Sequence, residues 1–156
     1  MERTLIILKP DAVQRGLAGR IISRFEEKGL QIVGMKMLTI SQDLAARHYA
    51  PHIGKPFYEG LIRFMTSSPV IVMALQGNGA IDIARKMMGA TFGFRAEPGT
   101  IRGDFGVSSS FNLIHGSDSP ESAATELAIW FRPEELQSYE LAGRLWQYDW
   151  SKGEPQ

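Results

Sequence analysis

Apolar positions along the chain follow two rhythms. The run TLIILKP, Thr4 to Pro10, is apolar without alternation and ends on Lys-Pro, as expected of a short strand buried on both faces. Val13, Leu17, Ile21 and Phe25 then recur at helical steps, which predicts a helix with Asp11 as its cap and Gly29 as its stop. LQIVGMKMLTI, Leu30 to Ile40, reads as a second strand interrupted by Gly34. Ser41 opens a short helix that Pro51 ends, and KPFYEGLIRFMTSS predicts another, with Phe57, Leu61 and Phe64 or Met65 on its inner side. PVIVMALQG, Pro69 to Gly77, is the cleanest strand; NGAIDIARKMMG predicts a helix capped by Asn78 and stopped by Gly89.

Residues 90 to 111 carry no period and are rich in Gly and Ser, with Pro98-Gly99 as a turn signal. So long a stretch without structure is uncommon in a compact domain and is usually either functional or in fact structured. After it FNLIHG predicts a fourth strand. Ser119-Pro120 opens a helix through Phe131, since proline suits a first helical position where its missing N–H has no partner anyway. SYELAGRLWQYDW supplies a last apolar-aromatic segment. The order is a βαββαβ pattern with additions, which predicts an α+β fold: a four-stranded antiparallel sheet with helices on one face and an added helical hairpin and loop. A doubly wound parallel sheet is the rival, weakened by the irregular alternation between residues 30 and 76.

Length changes this picture little. The 156 residues fit one domain over positions 1–150, with 151–156 as a flexible C-terminal tail. The absence of cysteine excludes disulfides, thiolate metal sites and thiol catalysis, and is compatible with a reducing cytoplasm. Seventeen basic and seventeen acidic side chains balance, so nothing draws the whole surface to nucleic acid or an anionic membrane. No apolar run approaches the roughly 20 residues of a membrane helix, and the N-terminal apolar stretch is too short for a signal-peptide core.

Candidate chemistry is scattered. No phosphate-binding glycine loop is present: Gly54-Lys55 is followed by Pro56, and GNGAID has Asp82 where a third glycine belongs. His48 and His52 stand four apart, but Pro51 lies between them and no third ligand is near, so the pair reads as a surface helix end. Lys9 follows a buried strand directly. Arg85 lies on a helix, and Arg102 sits in PGTIRGDF, flanked by glycines; each alone reads as a solvated charge or salt-bridge partner sooner than as a functional group. His115 lies in NLIHGSDSPES beside Gly116, whose lack of a side chain permits close approach and an unusual backbone angle. Ser117 to Ser119 can cap the following helix, and Glu126 can reach back to hold the imidazole, as reactive histidines require. The residues by themselves leave a reactive and a structural histidine both open.

Taken together, TLIILKPDAVQRGL, HYAPHIGKPFYEGLIRFM, PVIVMAL, MMGAT, PGTIRGDF, IHGSDSPESA and WFRPEEL closely resemble the nucleoside diphosphate kinases, in that family's order and spacing, over residues 3 to 136. The resemblance implies a ferredoxin-like sandwich. It implies that His115 attacks through Nδ1, taking the γ-phosphoryl group of a nucleoside triphosphate and passing it to a diphosphate in ping-pong alternation. Lys9, Arg85, Thr91, Arg102 and Asn112 would bind phosphates and sugar, and Phe57 would stack on the base with Leu61 close by. Tyr49, Glu126 and Ser117 would surround the histidine. Mg²⁺ would travel on the nucleotide phosphates, and subunits would assemble as a hexamer or tetramer built from dimers in the cytoplasm. The alternative is a nucleotide-binding regulatory scaffold without turnover. Departures from the family pattern are Phe92-Gly93, where an Asn-Pro or Asp-Pro pair is usual, Phe94-Arg95 after it, and VSSSF at 107 to 111.

Overall fold

The structure is a computed structural model describing residues 1–156. Four strands form one antiparallel sheet: β1 (Glu2–Leu8), β2 (Gln31–Leu38), β3 (Val70–Gly77) and β4 (Ile114–Gly116), in the order β2-β3-β1-β4. That is ferredoxin-like topology, as the βαββαβ pattern predicts. In β1, successive side chains point to opposite faces, and both faces are covered. Ile6 and Leu8 join one core with Ile21, Phe25, Met73, Leu75, Ala84 and Met88. Leu5 and Ile7 join another with Val72, Ala74, Ala45, Tyr49, Ile62, Met65 and Trp130. A strand packed on both sides explains the unbroken apolar run. Gly34 does not end the second strand; the register against β3 shifts between Ile32 and Gly34, a bulge in a continuous β2.

Helices α2 (Ala18–Glu27) and α5 (Ala80–Met88) cover the first face, as expected of the two crossover helices. The added hairpin, α3 (Gln42–His48) and α4 (Tyr58–Met65), covers the second face with α7 (Pro120–Trp130). Several local expectations are corrected. The first predicted helix is two: α1 (Pro10–Gln14) stops before Gly16, whose φ of +66° suits glycine and no helix. Asp11 is inside α1 and caps nothing; Lys9 holds the cap position. Asn78 is not the cap of α5 either, because Gly79 occupies that position at φ +64°.

The stretch from 90 to 111 contains a turn of 3₁₀ helix, Gly93–Arg95, and a five-residue helix, α6 (Ile101–Phe105). Thr100 caps α6 by accepting from the Gly103 N–H at 3.0 Å. Ser119 caps α7 as predicted, accepting from Ser122 N–H at 3.0 Å with Pro120 following. The aromatic segment after Tyr139 forms only a 3₁₀ turn at Arg144–Trp146, with Trp146 exposed. Beyond it the chain turns back, the Gln156 N–H donating to Asp149 O at 3.0 Å. No helix is long and apolar enough to cross a membrane.

Candidate active site

His115 lies on β4 directly opposite Ile7 of β1. Partners across an antiparallel pair share a face, so the imidazole enters the layer roofed by α7 and α3. There its Nε2 meets Glu126 Oε2 at 2.9 Å, and Ser117 Oγ donates to the same oxygen at 2.7 Å. Ser117 is itself fixed, its Oγ accepting from Leu5 N–H at 3.2 Å. Burial would push the Glu126 carboxyl up, but the His115 and Ser117 hydrogen bonds and the His115 charge outweigh it and hold the carboxyl below its ordinary range. An ionised carboxylate can only accept, so in the neutral imidazole the one ring proton sits on Nε2 and Nδ1 keeps its lone pair.

The chain approaches His115 through a strained residue. Leu113 has φ +72°, the only non-glycine residue in the left-handed region. Its conformation is held at both ends: Asp11 Oδ2 accepts from the Leu113 N–H at 3.0 Å, and Leu113 O accepts from the Lys9 N–H at 2.8 Å. A left-handed non-glycine residue costs about 1–3 kcal/mol and persists where the surroundings impose it. The unusual backbone angle expected at Gly116 therefore falls at Leu113. Gly116 instead serves close approach, since a Cβ there would lie 2.6 Å from Met88 Sδ.

Next to this turn the cations gather. Lys9, at the end of β1, is buried and donates through Nζ to Asn112 Oδ1 at 2.6 Å. Asn112 Nδ2 donates in turn to Thr91 O at 2.9 Å. Arg102, on α6, is buried and spends its guanidinium on three carbonyls: Nε on Asn112 O at 3.1 Å, Nη1 on Gly89 O at 3.1 Å and Nη2 on Ile114 O at 2.7 Å. Arg85, on α5, is exposed and makes only a long contact to Gly116 O at 3.5 Å. Burial, then the Arg102 charge, lower Lys9 to about 8 against the opposing pull of Asp11. Burial and the Arg85 charge lower Arg102 to about 10. Mutually repelling, desolvated cations are a standing invitation to an anion.

The shift at Lys9 has a pH signature. Its charged form costs the folded state, so folding stability rises from about pH 8 towards 10.5 as the unfolded chain alone keeps the proton. Anion affinity runs the other way. The free protein is expected to lose affinity for polyphosphate as pH climbs through about 8, and Lys9→Met should lack that alkaline limb. A limb persisting unchanged in Lys9→Met, measured by calorimetric titration, would assign it to another group.

Lys9, Thr91 and Asn112 open onto a cavity of about 580 Å³ whose other walls include Phe57, Leu61, Phe64 and Phe111. Phe57 does not face the interior as predicted; it precedes α4 with 53% of its surface exposed, while Ile62 and Met65 turn to the core. Phe111 stacks on Phe64 with ring centres 4.6 Å apart and gives the cavity a second aromatic wall. Only the unusual VSSSF stretch hinted at it. Tyr49 lies between the two regions, buried, with an Oη that finds no partner. Burial and the Glu126 charge push its phenol upward, so it remains a neutral donor.

His48 is the largest correction. It is not a surface helix end but a buried residue whose ring meets His115 edge to face, centres 4.8 Å apart. Burial, then the His115 charge, push it down to about 3. The signal existed: Ala45, His48 and Tyr49 are spaced i, i+3, i+4 and share the inner stripe of α3. A nitrogen of His48, one of His115 and an oxygen of Glu126 lie within 4.8 Å of one another. The atoms that face one another are already hydrogen-bonded, however. His48 Nδ1 accepts from the Trp130 indole at 3.0 Å, and Glu126 Oε2 takes the His115 and Ser117 protons. The donor set suits hydrogen bonding better than a metal.

Fold and site together define an α+β protein whose carboxylate-held imidazole adjoins a cleft shaped for a flat, anionic ligand. Residues 2–136 match the family model described as nucleoside diphosphate kinase. A nucleoside diphosphate kinase of Carboxydothermus hydrogenoformans is 56% identical over 149 residues, spanning 96% of this chain and 100% of that one. Another, from Thermomicrobium roseum, is 56% identical over 146 residues, 94% of this chain and 98% of that one. Among solved structures, a halophilic nucleoside diphosphate kinase from Halobacterium salinarum in complex with CDP aligns with a TM-score of 0.93 at 46% identity, covering 95% of this chain and 99% of that one. The chain belongs to the nucleoside diphosphate kinase family, enzymes that exchange a phosphoryl group between nucleoside tri- and diphosphates in a reaction that uses a divalent metal.

Proposed function

We propose that His115 carries the phosphoryl group and that the residues around it divide the work as the geometry suggests. The observation that supports this most is the 2.9 Å contact of His115 Nε2 with Glu126, which leaves Nδ1 as the free nucleophilic nitrogen. In the first half-reaction the Nδ1 lone pair forms a bond to the γ-phosphorus while the bond from phosphorus to the bridging oxygen breaks, releasing the diphosphate. The ring becomes cationic, and Glu126, already ionised and steadied by Ser117, balances that charge. The second half-reaction reverses these steps onto another diphosphate.

Such transfer passes through a loose transition state with charge spread over phosphoryl oxygens, so positioning and electrostatics do most of the catalysis. Lys9, Arg85 and Arg102 supply that field, Tyr49 offers its unpaired hydroxyl, and Asn112 and Thr91 line the phosphate and sugar end. Phe57, with Leu61, stacks the base. Stacking needs only a π face, so one cleft serves purines and pyrimidines. The cavity is lined by one cation, Lys9, and by no carboxylate, which supports Mg²⁺ entering as part of the substrate, bound to the phosphates it neutralises. One sheet with a core on each face supports a single domain over residues 1–150. Exposed Met35 and Met37 on the edge strand β2 are consistent with the dimer-based homo-oligomer that the resemblance implies, and the lack of cysteine with a cytoplasmic setting.

The test is direct. ATP labelled at the γ-phosphate should transfer its label to the protein as an acid-labile, alkali-stable phosphoramidate, and added GDP or dCDP should remove it as labelled triphosphate. A protein that binds nucleotide yet takes no label is the regulatory scaffold instead.

A further inference from the structure

His48 has no part in the reaction as assigned above, yet it is buried to 7% exposure against the reacting ring. Its own orientation is fixed from behind. Trp130, the last residue of α7, donates its indole N–H to His48 Nδ1 at 3.0 Å. An indole nitrogen can only donate, so His48 Nδ1 must hold a lone pair and the ring proton must sit on Nε2. A second proton on the ring would set two N–H groups against each other. The groups facing His48 also disfavour it: His115 from β4, Lys9 from the end of β1 and His52 from the following turn stand against Glu126 alone.

The neutral ring then does something a hydrogen bond cannot. Glu126 fixes where His115 Nε2 lies, but one hydrogen bond leaves the imidazole free to turn about that direction, and the second side-chain torsion of histidine is intrinsically broad. His48 stands across the His115 ring with an interplanar angle of 86° and its centre 4.8 Å away. Tyr49 and Trp130 flank it edge to face at 4.5 and 5.4 Å, so this wall does not yield easily. Glu126 and Trp130 both belong to α7, which therefore holds His115 directly through one and indirectly through the other.

We propose that His48 is a positioning residue, locked by Trp130, that sets the plane of the His115 imidazole for attack on phosphorus. The inference rests on His115 being the nucleophile. In His48→Asn the amide oxygen takes the place of Nδ1 and preserves the acceptor for Trp130, while the ring against His115 is lost. Single-turnover phosphorylation of that variant by ATP is expected to slow by on the order of a hundredfold, the scale of a small misplacement at a reacting centre, with ADP affinity unchanged. In the wild-type protein, nitrogen NMR should find His48 with the proton on Nε2 and no titration through about pH 5 to 8, where an ordinary imidazole responds.

A folded His48→Asn that is phosphorylated at the wild-type rate overturns the proposal, as does one that loses ADP affinity together with rate, because His48 would then merely shape the cleft. Should the variant not fold, the wild-type spectrum decides: a titrating His48, or a proton on Nδ1, overturns the lock. A wild-type protein that takes no label at all defeats the nucleophile assignment instead, a different and separable result.

Discussion

Replacing His115 by alanine is expected to remove phosphoryl exchange, lowering turnover by on the order of a millionfold, the loss seen when a covalent nucleophile is deleted. No neighbour can substitute. His48 Nδ1 is engaged by Trp130, and His52 lies beyond Tyr49, stacked on it with centres 6.2 Å apart. ADP affinity should survive, because the cavity, Lys9, Asn112 and Arg102 make no bond through the imidazole. The fold should survive too: Glu126 keeps its bond from Ser117, and His115 is only partly buried. With its donor gone, the Glu126 carboxyl should rise, since burial then meets less opposition. The measurements are coupled turnover, γ-label incorporation and ADP titration on one preparation. Acid-labile label persisting in His115→Ala at the wild-type stoichiometry would move the phosphoryl carrier elsewhere.

The sheet was readable because burial on both faces writes an unbroken apolar run, and β1 and β3 have one. The division of the first helix was hidden because Leu17 and Ile21 continue the period across the Gly16 turn. Helix α6 left no periodic trace at five residues; such a helix is stable only through its tertiary contacts, and those run through Arg102. At the site, the reactive residue types were visible as letters and motif neighbours, but their partners were not. The His115–Glu126 pair depends on β4 pairing with β1 and on where α7 crosses that face. The Arg102 contacts are all to backbone carbonyls, for which a sequence has no symbol. The burial of His48 is legible in the helical spacing of Ala45, His48 and Tyr49, but Pro51, between His48 and His52, marks the end of the helix more strongly than that spacing marks its inner stripe.

Arg102 is where fold and chemistry are hardest to separate, and its replacement should have the second largest effect. Arg102→Ala takes the side-chain donor from the carbonyls of Gly89, Asn112 and Ile114; Asn112 O keeps the Ile114 N–H at 2.8 Å, so the cost is about 1–3 kcal/mol for each of the other two that water cannot reach. These carbonyls tie the end of α5 and the segment entering β4 to α6. Their release should therefore lower the unfolding temperature and loosen the backbone that carries His115. Turnover should fall at least about a thousandfold, the contribution of an arginine that stabilises a transferring phosphoryl group. Arg102→Lys separates the two causes. It keeps the charge, but one ammonium cannot reproduce a planar fork bonded to three acceptors, so it should recover little of the rate. Full recovery by lysine would reduce the role of Arg102 to its charge. A second readout is independent of turnover. The Arg102 charge is the second-largest influence lowering Lys9, after burial. In Arg102→Ala the Lys9 ammonium should therefore hold its proton to higher pH, moving the alkaline loss of polyphosphate affinity upward from about 8. In Arg102→Lys, with the charge retained, that limb should stay in place. A limb that moves equally in both variants would mean that altered packing, not charge, governs Lys9.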